Sequence, residues 1–160
     1  MVSGGKHSVY LGLGSNLGNR ETIIREAVRL IEERIGQVVR QSSLIETEPW
    51  GFESQNRFLN GAVCCETALS PREVLLATQQ IERDLGKRKE HATQRSQRAN
   101  SKSSDCKYFD RPVDIDILLY DDITIDEPDL KIPHPLMEQR DFVMIPLREI
   151  NNNLKKQNCL

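Results

Sequence analysis

Apolar positions along the chain alternate in two rhythms, one of period two and one near 3.6, and their order predicts the fold. Ser8 to Leu13 reads as a first strand, ending at Gly14-Ser15-Asn16-Leu17-Gly18-Asn19. Arg20 to Ile35 carries Ile23, Ile24, Ala27, Val28, Leu30, Ile31 and Ile35 at helical spacing, and Gly36 suits a stop. Val38 to Glu46 reads as a second strand with one polar face, and Phe58 to Leu69 as a third. Between them Thr47 to Arg57, with Pro49, Gly51, Ser54 and Asn56, reads as a loop. Ser70-Pro71-Arg72-Glu73 is a helix start: a Ser cap, a proline at the first helical position and an acid in the first turn. That helix is expected to reach Leu85 and stop at Gly86. Lys87 to Asp110 is polar and aperiodic. A fourth strand spans Arg111 to Tyr120, with Asp121-Asp122 as its turn. Ile123 to Ile132 holds a short extended piece, Pro133-His134-Pro135 a stiff turn, and Leu136 to Ile150 short helical segments.

Strand, helix, strand, strand, helix, strand is the split βαβ pattern of ferredoxin-like folds. The expectation is an α+β domain, βαββαβ, with a mainly antiparallel sheet, helices on one face and a ligand site on the other. At 160 residues the chain suits a single domain, ordered over about residues 8–150, with 1–7 and 151–160 as loose ends. The formal net charge of -2 gives no pull toward nucleic acid or an anionic membrane. No apolar run approaches the roughly 20 residues that span a bilayer, and Met1 to His7 lacks a secretory apolar core. Cys64, Cys65, Cys106 and Cys159 match no zinc spacing, and adjacent Cys64 and Cys65 on a strand face opposite ways. Reduced thiols in a cytoplasmic protein are the expectation.

The chemistry concentrates at Asp114 and Asp116, two residues apart on a strand and so on one face. Paired carboxylates repel unless a cation lies between them, and Mg²⁺ with substrate phosphates suits two of them. A wet strand face presents the same pattern. What shifts the balance is the preceding basic segment, with Lys87, Arg88, Lys89, Arg95, Arg98, Lys102, Lys107 and Arg111. Lys and Arg clusters clamp phosphates, although Gln94 to Ser104 reads as a solvated linker. Gly12-Leu13-Gly14-Ser15-Asn16-Leu17-Gly18 is neither a dinucleotide fingerprint nor a P-loop. Its third glycine comes one residue late, and no Gly-Lys-Ser/Thr follows. Gln79 and Glu82 share one helix face. Phe58 and Asn60 share one strand face, which suits a flat heterocycle or, for Phe58, a place in the core.

Together, Leu13 to Gly18, Thr47 to Gly51, Phe58 to Asn60, Gln79 to Gly86, Asp110 to Leu118, and Pro133 to Pro135 with Arg140 to Phe142 resemble a known family. It is the 6-hydroxymethyl-7,8-dihydropterin pyrophosphokinases of folate biosynthesis, and the likeness covers roughly Val9 to Ile150. The resemblance implies transfer of the pyrophosphoryl group of ATP to the pterin hydroxymethyl, giving AMP and the pterin diphosphate. It implies two Mg²⁺ ions on Asp114 and Asp116, with Lys87 and Arg111 as further catalytic residues. Phe58 and Phe142 correspond to the pterin-stacking pair, and Asn60, Thr47, Glu48 and Trp50 to its hydrogen-bond readers. Gln79, Glu82, Lys89, Tyr108, Arg111, Ile117, His134 and Arg140 correspond to the ATP side. Lys87 and Lys89 stand where the family usually has arginines, and Tyr108 is the aromatic nearest to its nucleotide cover. A monomer without nucleic-acid or membrane partners is expected. The rival is a non-catalytic ferredoxin-like module binding a small regulatory ligand.

Overall fold

The computed structural model describes residues 6–16, 19–47, 58–90 and 113–151, with the backbone alone for Thr47 and residues 87–90. In chain order come β1 (His7–Ser15), α1 (Arg20–Arg34), β2 (Gly36–Gln41), β3 (Ile45–Thr47) and β4 (Phe58–Thr67). They are followed by α2 (Pro71–Glu90), β5 (Asp114–Tyr120), β6 (Ile125–Glu127), β7 (Leu130–Ile132), a 3-10 turn over Met137–Gln139, and α3 (Asp141–Ile150). β1 is central, antiparallel to β4 on one side and β5 on the other. β2 and β3 both pair with β4, giving the order β2-β4-β1-β5. This is the expected βαββαβ arrangement.

Alternation decides the two faces. Val9, Leu11, Leu13, Val63, Cys65, Ile115 and Ile117 form one core with Ile24, Ala27, Leu30 and Ile31 of α1 and Val74, Ile81 and Leu85 of α2. Each large aliphatic side chain buried there contributes about 1.5–3 kcal/mol. On the opposite face α3 lays Val143, Met144 and Leu147 against Leu118, and Ile150 against Ala62 and Cys64. A third helix therefore shares the face expected to hold only the ligand. Cys64 and Cys65 are free, buried and on opposite faces, as alternation requires, and burial pushes the Cys65 thiol up to about 12.

Element ends show the local physics. Asn19 caps α1 by accepting from the Thr22 amide at 3.1 Å. At the start of α2, Ser70 Oγ accepts from the Glu73 amide at 3.2 Å while Glu73 Oε1 accepts from the Ser70 amide at 2.8 Å. Gly36 does not end α1 by a left-handed turn. It opens β2, where a Cβ would run into the Glu66 carbonyl. Gly86 does not end α2, which runs on to Glu90. The single strand expected over Val38 to Glu46 is broken at Ser42. There its Oγ accepts from the Ala62 amide at 2.9 Å, and Leu44 packs beside Gly61. His7, expected as a loose end, is paired with Asp121 at 2.6 Å, and Asn151 is buried. The remainder of both expected ends, residues 1–5 and 152–160, lies outside the described residues.

Candidate active site

The site starts from a gap in the side chains of β1. Gly12 and Gly14 fall on the face away from the helical core, between the two partner strands. Gly14 pairs with Asn60 on β4 and with Asp114 on β5, while Gly12 pairs with Ala62 and Asp116. A bare strip of backbone thus separates the aspartates from Asn60. The Asn60 amide lies over Gly14, where a Cβ would be 2.8 Å from its Oδ1 and 3.5 Å from Phe58 Cδ1. Asn60 is only 5% exposed, so its amide is buried rather than left to water. A G-x-G at strand spacing is the sequence signal for this floor.

Asp114 and Asp116 project together, each half-buried, from the edge strand β5. Ile115 and Ile117 alternate with them into the helical core, 5% and 6% exposed, which fixes the roll of the strand. A bulge follows: Tyr10 pairs with Leu119 and Leu11 with Ile117, leaving Leu118 extra. The Leu118 carbonyl accepts from the His134 amide at 3.1 Å, so the Pro133-His134-Pro135 turn is fastened to β5.

His134 is oriented by its own turn. The Leu136 amide donates to its Nδ1 at 3.3 Å, so the neutral ring carries its proton on Nε2. Burial holds the imidazole below its ordinary value, Arg140 lowers it further, and Asp114 acts in the opposite sense. His134, Arg140 and Asp114 therefore share one electrostatic neighbourhood. The Arg140 guanidinium lies over the Phe142 ring, 5.7 Å from its centroid. Phe142 itself rests on the Leu118–Met144 cluster at the start of α3.

On α2, Gln79 and Glu82 are half-buried, and Glu82 Oε2 accepts from the Ile115 amide at 2.7 Å. The Ile117 side chain points into the helical core rather than toward the aspartates. The reason is parity: it sits one residue beyond Asp116. Thr47 pairs with Phe58 through the backbone. Lys87 and Lys89 lie in the last helical turn of α2, whose side chains are not described. Glu48, Trp50, Tyr108 and Arg111 lie outside the described residues.

Two carboxylates on one strand face are a donor set that could hold Mg²⁺ together with phosphates and water. The donor set fits: hard oxygen ligands on one face, and among the described residues no third His, Cys, Asp or Glu grouped to enclose a metal without substrate.

Residues 10–152 match the model of the 7,8-dihydro-6-hydroxymethylpterin-pyrophosphokinase family. The chain belongs to that family. It is 43% identical over 143 residues to the 2-amino-4-hydroxy-6-hydroxymethyldihydropteridine pyrophosphokinase of Porphyromonas gingivalis, covering 89% of each chain. With the enzyme of the same name from Aquifex aeolicus the identity is 39% over 147 residues, 92% of this chain and 82% of that one. Among solved structures, the Plasmodium falciparum HPPK-DHPS superposes with a TM-score of 0.64 at 16% identity, over 90% of this chain and 41% of that one. That last likeness bears on the fold, and the chain spans about two fifths of the larger protein. Family membership makes this chain a pyrophosphokinase of folate biosynthesis and disfavours the non-catalytic regulatory module. Among the described residues no helix is long and apolar enough to cross a membrane.

Proposed function

We propose that this pyrophosphokinase moves the pyrophosphoryl group of ATP to the hydroxymethyl oxygen of 6-hydroxymethyl-7,8-dihydropterin, releasing AMP, with Mg²⁺ held at Asp114 and Asp116. One observation carries the reading: both carboxylates face the same side of β5, across the bare Gly12–Gly14 backbone from Asn60 and Phe58. Bound there as a pair, the ions would neutralise phosphate charge and orient the triphosphate.

The chain's own residues supply position and charge, which is most of what phosphoryl-type transfer needs. Asn60 offers an acceptor and a donor to the edge of the pterin, with Phe58 and Phe142 as stacking faces. The backbone at Thr47 lies beside Phe58 and suits a further reader of that edge. Neutral His134 donates from Nε2, and Arg140 brings a fixed positive charge, so both suit phosphate oxygens. Gln79 on α2 suits the nucleotide. Lys87, Lys89, Tyr108, Arg111, Glu48 and Trp50 enter through the family resemblance alone. A cytoplasmic location fits the free thiols of Cys64 and Cys65.

The test combines product and metal. Wild type with ATP, Mg²⁺ and the pterin should yield AMP rather than ADP by chromatography. Asp114→Ala and Asp116→Ala should each lose at least about 100-fold in kcat while keeping the wild-type circular dichroism spectrum. ADP as product, or both variants turning over like wild type, overturns the proposal.

A further inference from the structure

Glu82 is spent on the protein itself. Its Oε2 accepts from the main-chain N–H of Ile115 at 2.7 Å, and Ile115 is the residue between Asp114 and Asp116. We infer that Glu82 is a positioning residue that sets how the two aspartates project, by clamping the free edge of their strand from α2.

The geometry requires some such clamp. Among the described residues β5 is the last strand of the sheet, with no neighbouring strand on one side of its backbone. Edge N–H groups otherwise turn to water, and an edge strand frays at its end. Asp114 is the first residue of β5, so the aspartates sit where fraying begins. From inside, the Ile115 and Ile117 side chains fix the strand's roll. From the edge, Glu82 fixes its displacement. The carboxylate is aimed by its own helix, because Ile81 and Leu85 on either side are buried in the core at 0% and 5% exposure. A hydrogen bond from an amide to a carboxylate is about twice as strong as a neutral one. Groups that orient metal-binding side chains from outside carry large effects on affinity and rate.

This inference rests on Asp114 and Asp116 being the metal-binding pair, and it changes the assignment of Glu82 from a nucleotide contact to a brace. Two single-residue changes separate the bond from the charge. Glu82→Gln keeps an acceptor oxygen at the same reach and loses the charge. Glu82→Asp keeps the charge and is one carbon too short to hold 2.7 Å to Ile115.

The experiment reads amide hydrogen exchange of Ile115 by NMR without ligands, Mn²⁺ affinity with a non-hydrolysable ATP analogue, and kcat with both KM values. In Glu82→Asp the Ile115 amide should lose protection by about ten-fold or more, and Mn²⁺ affinity and kcat should fall by about 10- to 100-fold. The KM for ATP should stay within about threefold. Glu82→Gln should keep the protection, the metal affinity and most of the kcat. The opposite pattern, with Glu82→Asp active and Glu82→Gln inactive with a raised KM for ATP, overturns the brace and returns Glu82 to direct nucleotide contact. Unchanged Ile115 exchange in Glu82→Asp also overturns it. The metal reading fails separately, through active Asp114→Ala and Asp116→Ala proteins, whereas the exchange of Ile115 reports the brace in the absence of metal.

Discussion

The Asn60 amide and the backbone of Gly14 occupy the space of one side chain: a methyl on Gly14 would sit 2.8 Å from Asn60 Oδ1. Gly14 has no left-handed backbone angle, so alanine there is not strained in itself. Its cost falls on Asn60, which must move, and on Phe58, which is in contact at 3.5 Å. Loss of one aligned hydrogen bond is worth about 0.5–1.5 kcal/mol. Gly14→Ala should therefore raise the KM for the pterin by about 3- to 10-fold, with the KM for ATP nearly unchanged. Steady-state kinetics with each substrate varied checks this. A variant with wild-type pterin KM would show that the Asn60 amide is not the reader.

His134 gives a pH dependence with a defined sign. Burial and Arg140 hold its folded-state value below the ordinary imidazole value of about 6.5. As pH falls, the unfolded chain takes up the proton first, so the native state loses ground. The stability at stake is fully present above about pH 6.5 and is lost as pH falls from there toward the folded value. The fall in melting temperature between about pH 7.5 and about pH 5.5 should be smaller in His134→Gln than in wild type. Asp114 acts the other way on the ring, so an NMR titration of His134 should move to still lower pH in Asp114→Asn. A midpoint at or above 6.5 in wild type would contradict the burial account.

How much was legible from residues alone follows from the range of the interactions. The strand and helix order, the Ser70 cap and the common face of Asp114 and Asp116 depend on neighbours a few positions apart, and the pattern showed them. The seating of α3 depends on Ala62, Cys64 and Leu118, which are distant in the chain, so its helical period said nothing of which face it covers. The split of the second strand depends on Ser42 finding the Ala62 amide, again a distant partner. At the site, the aspartates and the Phe58–Asn60 face were visible by parity. The same parity turns the Ile117 side chain away from them, into the helical core. Helical spacing sets Glu82 on one face with Gln79 but not against the Ile115 amide, which is 33 residues on.

Gly86 shows the limit of local signals and yields a prediction of its own. A glycine after a helical run reads as a stop, yet α2 continues through residues 87–90. A Cβ added at Gly86 meets no atom of the described residues within 4 Å. Alanine there should fit without a clash and remove the entropy cost of glycine in a helix. Gly86→Ala should therefore stabilise the protein by about 0.5–1 kcal/mol. Urea denaturation with an unchanged slope is the measurement. A destabilised variant would mean that this stretch of α2 is strained rather than merely permissive.

The far end of α3 is tied to the broken strand that leads into the proposed pterin side of the site. Glu149 accepts from the Ser43 amide at 3.0 Å and from its hydroxyl at 2.7 Å, and Arg40 donates to the Ile150 carbonyl at 3.0 Å. The arginine also places positive charge at the helix C-terminus, where it is favourable. Ser43 lies just before β3, which carries Thr47, while Phe142 sits at the opposite end of the same helix. One short helix thus links Phe142, the proposed stacking ring, to the residues just before β3. Glu149→Ala should cost about 1 kcal/mol in stability. It should also raise the KM for the pterin by a few-fold while leaving that for ATP alone, because α3 would be freer to pivot on its apolar contacts. Chemical denaturation and paired kinetics measure both effects in one variant. If stability drops with no change in the pterin KM, the apolar packing of α3 on Leu118 alone holds Phe142, and the Ser43–Glu149 tie serves only the fold.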